Sequence, residues 1–218
     1  MKTLPLFALI FALLPGLVMA EHQIHFNVSE QTQVDNDLLV VTLMAQHQAR
    51  TPDLVTEEIN QAMQDALQQL NDDQRQYAQT GNYRIQPQYN KDGRIHHWQG
   101  QQQLILTLPK QADIGAILTL LQDRLVYQSM RADISHTQRQ QAENALQAQA
   151  LANYQAQAKR IAQSFNADNW QLVETHIQTQ SPNFRPQTRV MMAADSAPAV
   201  EMGQQTVQIE VRGILKIE

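Results

Sequence analysis

Apolar and polar positions alternate with period two over residues 24–34, where Ile24, Phe26 and Val28 are separated by His25 and Asn27. That pattern predicts a strand with one buried face. Asp35-Asn36-Asp37 predicts a turn. A longer strand is predicted over 38–50, and its opening Leu38-Leu39-Val40-Val41 is apolar on both faces, which implies cover on both sides. Thr51-Pro52-Asp53 then opens a helix: Thr51 is a capping residue type, Pro52 suits the first helical position, and Asp53 suits the positive end of the dipole. Val55, Ile59, Ala62, Met63, Ala66, Leu67 and Leu70 follow at helical spacing, a single broad apolar stripe that frays near Asn71-Asp72-Asp73.

Residues 82–90 predict a strand with Tyr83, Ile85, Pro87 and Tyr89 on one face; its proline points to an edge or a bulge. Asp92-Gly93 predicts a tight hairpin. The return strand ends with Leu104, Leu106 and Leu108 on one face and stops at Pro109. A second helix is predicted over 111–125, a strand over 127–137, and a long helix over 138–166 with Leu146, Ala150, Tyr154, Ala158, Ile161 and Phe165 on one face. The alanines beside that face let the helix lie close to a neighbour. A strand follows over 170–178. Residues 181–204 carry no period and predict a long loop, functional or mobile by its length. Val207, Ile209, Val211, Gly213, Leu215 and Ile217 close the chain as a strand in strict alternation. The order β-β-α-β-β-α-β-α-β-β, with hairpins between helices, predicts an α+β fold with a mixed or antiparallel sheet and three helices.

The first twenty residues stand apart from this pattern. Lys2 precedes an apolar run from Leu4 to Leu14, Pro15-Gly16 breaks it, and Val18 and Ala20 are the small residues of a cleavage site before Glu21. Residues 1–20 are therefore expected to be a secretory signal peptide, leaving 21–218 as one exported domain, with two sublobes allowed by the two β-α-β-β-like passes. No later apolar run is long enough to span a bilayer.

Composition narrows the chemistry. The chain of 218 residues has no cysteine, which removes disulfides, thiol catalysis and Cys-ligated metals. A net charge of −5 and 6% aromatic residues argue against nucleic-acid binding. The 36 glutamines are interleaved with periodic apolar residues, so they form the polar sides of ordered elements rather than a low-complexity tract. The seven glycines build no phosphate loop or dinucleotide fingerprint, and no serine lies in a nucleophile elbow. His96 and His97, consecutive on a strand, are expected on opposite faces, and His22 and His25 are expected in solvent near the terminus. Met191, Met192 and Met202 read as loop methionines covering an apolar patch rather than as Cu(I) ligands. Glu57-Glu58 and Asp72-Asp73 diverge as neighbours and read as solvated faces. No catalytic residue, cofactor or metal site is predicted. A dispersed hydrolase site using His47, His97 or His136 with an acid, and a His/Met metal-handling site, are the competing expectations.

One segment carries a family signature. Residues 80–89, TGNYRIQPQY, resemble the T-x-x-Y-x-I-x-P-x-Y motif of SIMPL-domain proteins, with Thr80, Tyr83, Ile85, Pro87 and Tyr89 all matching. The alanine-spaced helix and the ending Gly203-Gln204-Gln205-Thr206-Val207 are similar to the family's second half. Val28-Ser29-Glu30-Gln31 stands where the family has V-S-G-x-G, and Asn36-Asp37 stands where it has Pro-Asp. The resemblance implies a periplasmic or envelope protein associated with oxidative stress tolerance. It implies action through a homo-oligomer or an envelope protein partner, and it carries over no catalytic set.

Overall fold

The computed structural model describes residues 22–180 and 201–217. The predicted signal segment and most of the predicted loop 181–204 lie outside the described residues. Among those described, the elements are β1 (His22–Asp35), β2 (Leu38–Ala49), α1 (Pro52–Gln69), α2 (Asp72–Arg75), β3 (Ala78–Tyr89), β4 (Ile95–Pro109), α3 (Ile114–Leu121), β5 (Val126–Asp133), α4 (His136–Ser164), β6 (Trp170–Gln180) and β7 (Gln204–Ile217). The fold is α+β. A four-stranded sheet has the order β3-β4-β2-β5, and a three-stranded sheet the order β1-β7-β6. The described chain forms two compact units.

The larger unit spans residues 30–149, 179–180 and 201–209 of the described chain. Here β2 runs antiparallel to both β4 and β5, and β4 antiparallel to β3. Leu39, Val40 and Val41 are all buried, as an apolar run with cover on both faces requires. α1 packs on β2 and β4 through Val55, Ile59, Met63 and Ala66. Its core is completed by Leu43, Leu70, Leu104, Leu106, Leu108, Ile117 and Leu121. Burial of each such aliphatic side chain stabilises the unit by about 1.5–3 kcal/mol, an upper figure because unfolded chains are partly compact. α1 can lie this close because Gly100 faces it: a Cβ there would run into Val55 and come within 3.3 Å of Ile59.

Several local expectations change. Thr51 occupies the N-cap of α1, but its side chain makes no capping bond. The segment expected to fray at Asn71-Asp72-Asp73 instead starts the short helix α2. Asn71 Oδ1 accepts from the Gln74 amide (2.8 Å), and the Gln74 side chain accepts from the Asn71 amide (3.1 Å). That reciprocal pair restarts the helix. α3 is shorter than 111–125 because the Asp113 side chain caps it by accepting from Ala116 N (3.0 Å). β5 stops at Asp133 rather than 137, since Ser135 Oγ accepts from Gln138 N (3.3 Å) and starts α4 early. The hairpin is wider than a two-residue turn: Asn90 Oδ1 accepts from Asp92 N (3.0 Å) and Arg94 N (2.9 Å), and Gly93 takes φ 73°.

The smaller unit spans residues 22–29, 150–178 and 210–217. Ala158 and Ala162 of α4 pack on Leu215 and Ile217, flanked by Ile24, Phe26 and Leu172. Phe26 stacks on Tyr154 with ring centroids 4.5 Å apart. The buried line of α4 runs Leu146, Ala150, Tyr154, Ala158, Ala162. Phe165, expected on this face, is 63% exposed. The helix ends before it: Ala167 N donates to Ala162 O (3.0 Å), Asn166 N donates to Gln163 O (3.1 Å), and Asn166 takes φ 53°. This is a Schellman closure with asparagine in the left-handed position.

Candidate functional site

The five motif residues all lie on β3. Thr80 pairs with Leu104, Tyr83 with Gln102, Ile85 with Gly100 and Pro87 with Trp98. Between Thr80 and Tyr83 the register shifts, so three steps on β3 match two on β4. This bulge explains the uneven spacing of the signature. A T-x-Y spacing would suit a regular strand; T-x-x-Y keeps Thr80 on the same face as Tyr83, Ile85, Pro87 and Tyr89 only because one extra residue is absorbed. Gly81 sits in the bulge, where a Cβ would approach Gln103 and Ile105 at 3.1 Å. The shared face is the one that carries Gly100 and α1. Ile85 is partly buried against the core, whereas Tyr83 and Tyr89 are exposed.

A second register shift lies at Gln88/Tyr89. Gln88 pairs with His97 and Tyr89 with Ile95, which leaves His96 as the extra residue on β4. His96 and His97 therefore do not take opposite faces as consecutive strand residues would. Their rings meet edge to face, with centroids 5.1 Å apart. The nearby Tyr89 and Ile95 are exposed. No group of three or more His, Asp or Glu side chains among the described residues is placed to hold a metal ion.

The junction of β1 and β2 gathers several polar bonds within the larger unit. Asn36 is buried; its Nδ2 donates to Met202 O (2.5 Å) and its amide to Gly203 O (3.2 Å). Asp37 N donates to Asp133 O (3.1 Å), and Asp37 O accepts from Lys110 N (3.0 Å). The Asp37 carboxylate accepts from Ser135 N at 2.6 Å. With its amide nitrogen turned toward that carboxylate, Gln138 donates to both oxygens at 3.1 and 3.0 Å. Nearby, Asp133 accepts from Gln205 (3.1 Å) and pairs with Arg131 (3.6 Å) and Arg139 (3.8 Å). These bonds tie chain segments together.

In the smaller unit an open cleft of about 480 Å³ is lined by His25, Glu174, His176, Glu210 and Arg212 beside Phe26. Glu174 and His176 hydrogen-bond within β6. Arg212 donates to Gln178 (2.6 Å) and pairs with Glu210 (3.3 Å). The period-two pattern of β6 places Glu174 and His176 on one face, a signal present in the sequence; their meeting with His25 and Arg212 depends on strand order and was not readable. His47 and His97 lie on β2 and β4 and His136 starts α4; none lines this cleft. Glu57, Glu58, Asp72 and Asp73 are exposed, and Met191 and Met192 lie outside the described residues.

The architecture is that of an α+β protein built on two antiparallel-type sheets with a bulged signature strand at one edge. The family model of SIMPL, described as a protein of unknown function (DUF541), matches residues 24–214. The chain belongs to the SIMPL family. No curated protein matches it. No helix among the described residues is long and apolar enough to cross a membrane.

Proposed function

We propose that this SIMPL-family chain is exported to the periplasm and works there without catalysing a reaction. It acts by self-association or by binding an envelope protein partner, in support of envelope or oxidative stress tolerance. The observation that carries this reading is the position of its exposed large apolar side chains. They concentrate on strands that end the sheets: Tyr83 and Tyr89 on β3, Val126 and Tyr127 on β5, Trp170, Val173 and Ile177 on β6. Apolar residues on strand edges lose least and gain most when another chain pairs with them. The test is to express the full chain in a bacterial host, fractionate the cells, and measure the mass of the processed protein by light scattering. An assembly, or a captured envelope partner, supports the proposal. A strict monomer without a partner, or turnover of a small molecule abolished by His176→Ala, overturns it.

A further inference from the structure

We infer that β6 is a self-complementary seam that pairs antiparallel with β6 of a second copy, about a two-fold axis through Thr175. This rests on the self-association proposed above and specifies its surface. Among the described residues β6 ends its sheet, with β7 on one side only. Natural edge strands are normally blunted by proline, lysine, bulges or brevity. β3 carries Pro87 and a bulge. β5 has eight residues, an arginine and an irregular register with β2. β1 presents no large exposed apolar residue. β6 has eleven residues with no proline, glycine, lysine or arginine, and its Val173 and Ile177 are 49% and 41% exposed.

The sequence of β6 then fixes the occupant. Leu172 to Gln178 reads Leu-Val-Glu-Thr-His-Ile-Gln. Antiparallel pairing about Thr175 sets Val173 opposite Ile177 of the second copy, Thr175 opposite Thr175, and Glu174 opposite His176. Opposed residues share a face. One face therefore gains a doubled Val-Thr-Ile row, and the other a square in which each carboxylate faces an imidazole N–H donor both along and across the strands. Aliphatic pairs, Thr–Thr pairs and acceptor–donor pairs are the favourable cross-strand combinations. A slip of one residue sets Glu174 opposite Ile177 or Val173 opposite His176 and loses all three. A two-fold interface requires such self-matching, because the same patch serves both subunits. The pairing joins two three-stranded sheets into one of six strands.

Because the chain has no cysteine, single-cysteine variants of the full chain report the register without background. Opposed Cα atoms lie about 4.5–5.5 Å apart, within disulfide reach. Under mild oxidation Thr175→Cys is expected to give covalent dimer as the main species. Val173→Cys alone, about 14 Å from its own copy at 3.4 Å per residue, is expected to give at least tenfold less, and Val173→Cys with Ile177→Cys to restore it. Ile177→Lys, an exposed position, is expected to halve the scattering mass with an unchanged circular dichroism spectrum. An assembly that persists in Ile177→Lys, with Thr175→Cys and the double variant uncrosslinked, overturns the seam and leaves the self-association reading standing. A wild-type chain that is monomeric at every concentration overturns both.

Discussion

Asp37 Oδ1 accepts a hydrogen bond from the backbone amide of Ser135 at 2.6 Å, across 98 positions of sequence. Asp37 is the last residue of the β1–β2 turn, and Ser135 caps α4. One carboxylate thus joins the start of the central strand to the start of the longest helix. Hydrogen bonds to a charged acceptor contribute about 1.5–3 kcal/mol, roughly twice a neutral one. Asp37→Ala is expected to lower unfolding free energy by about 2–3 kcal/mol in urea titrations, and Asp37→Asn by less than half of that because an acceptor remains. Equal losses for the two variants would show that a neutral acceptor retains nothing of the interaction.

The bulge in the signature strand has a sharper consequence. Deleting Asn82 restores an even count between Thr80 and Tyr83, so a regular strand keeps both on one face and no residue is left to absorb. Ala78, which packs against the core opposite Leu106, keeps its face. Thermal melting should show a change of less than about 1 kcal/mol, since no core side chain is displaced. A loss above about 2 kcal/mol would show that the bulge itself is required for stability.

Two glycines test what close packing requires. At Gly100 a Cβ meets the side chain of Val55, a buried β-branched residue held to one rotamer on its helix, so α1 itself has to shift. At Gly213 it meets the Glu174 carbonyl oxygen and the Tyr154 hydroxyl, and a main-chain atom cannot step aside. Overpacking costs about 1–3 kcal/mol. Both substitutions are expected to cost stability, with Gly213→Ala at or above the top of that range and Gly100→Ala within it, read from paired denaturation curves. The reverse order would show that β6 yields more easily than α1.

Tyr127 on edge strand β5 provides a pH signature. Partial burial raises its phenol above the usual 10.0. The unfolded phenol ionises first, so above about pH 10 the unfolded state binds fewer protons and stability falls with rising pH until the folded phenol ionises as well. Its contribution is complete below that window. Absorbance titration at alkaline pH should show a late-ionising tyrosine that disappears in Tyr127→Phe. A late phase that persists unchanged in Tyr127→Phe would contradict this.

Local pattern determined much of this protein. The period-two runs marked β1, β3, β4 and β7, the continuous apolar run marked β2, and the helical spacing marked α1 and α4, because each signal is set by neighbours within one turn or one pleat. The α+β class followed from element order. Other features depended on contacts between distant residues. Thr51 caps nothing while Asn71 closes a box, since capping depends on side-chain direction as well as residue type. His96 and His97 meet because pairing with β3 inserts a bulge that neither residue encodes alone. The Asp37 bonds to Ser135 and Gln138, and the gathering of His25, His176 and Arg212 at one cleft, required the strand order. A hydrogen bond between residues far apart leaves no period in the chain, so only the tertiary structure could place it.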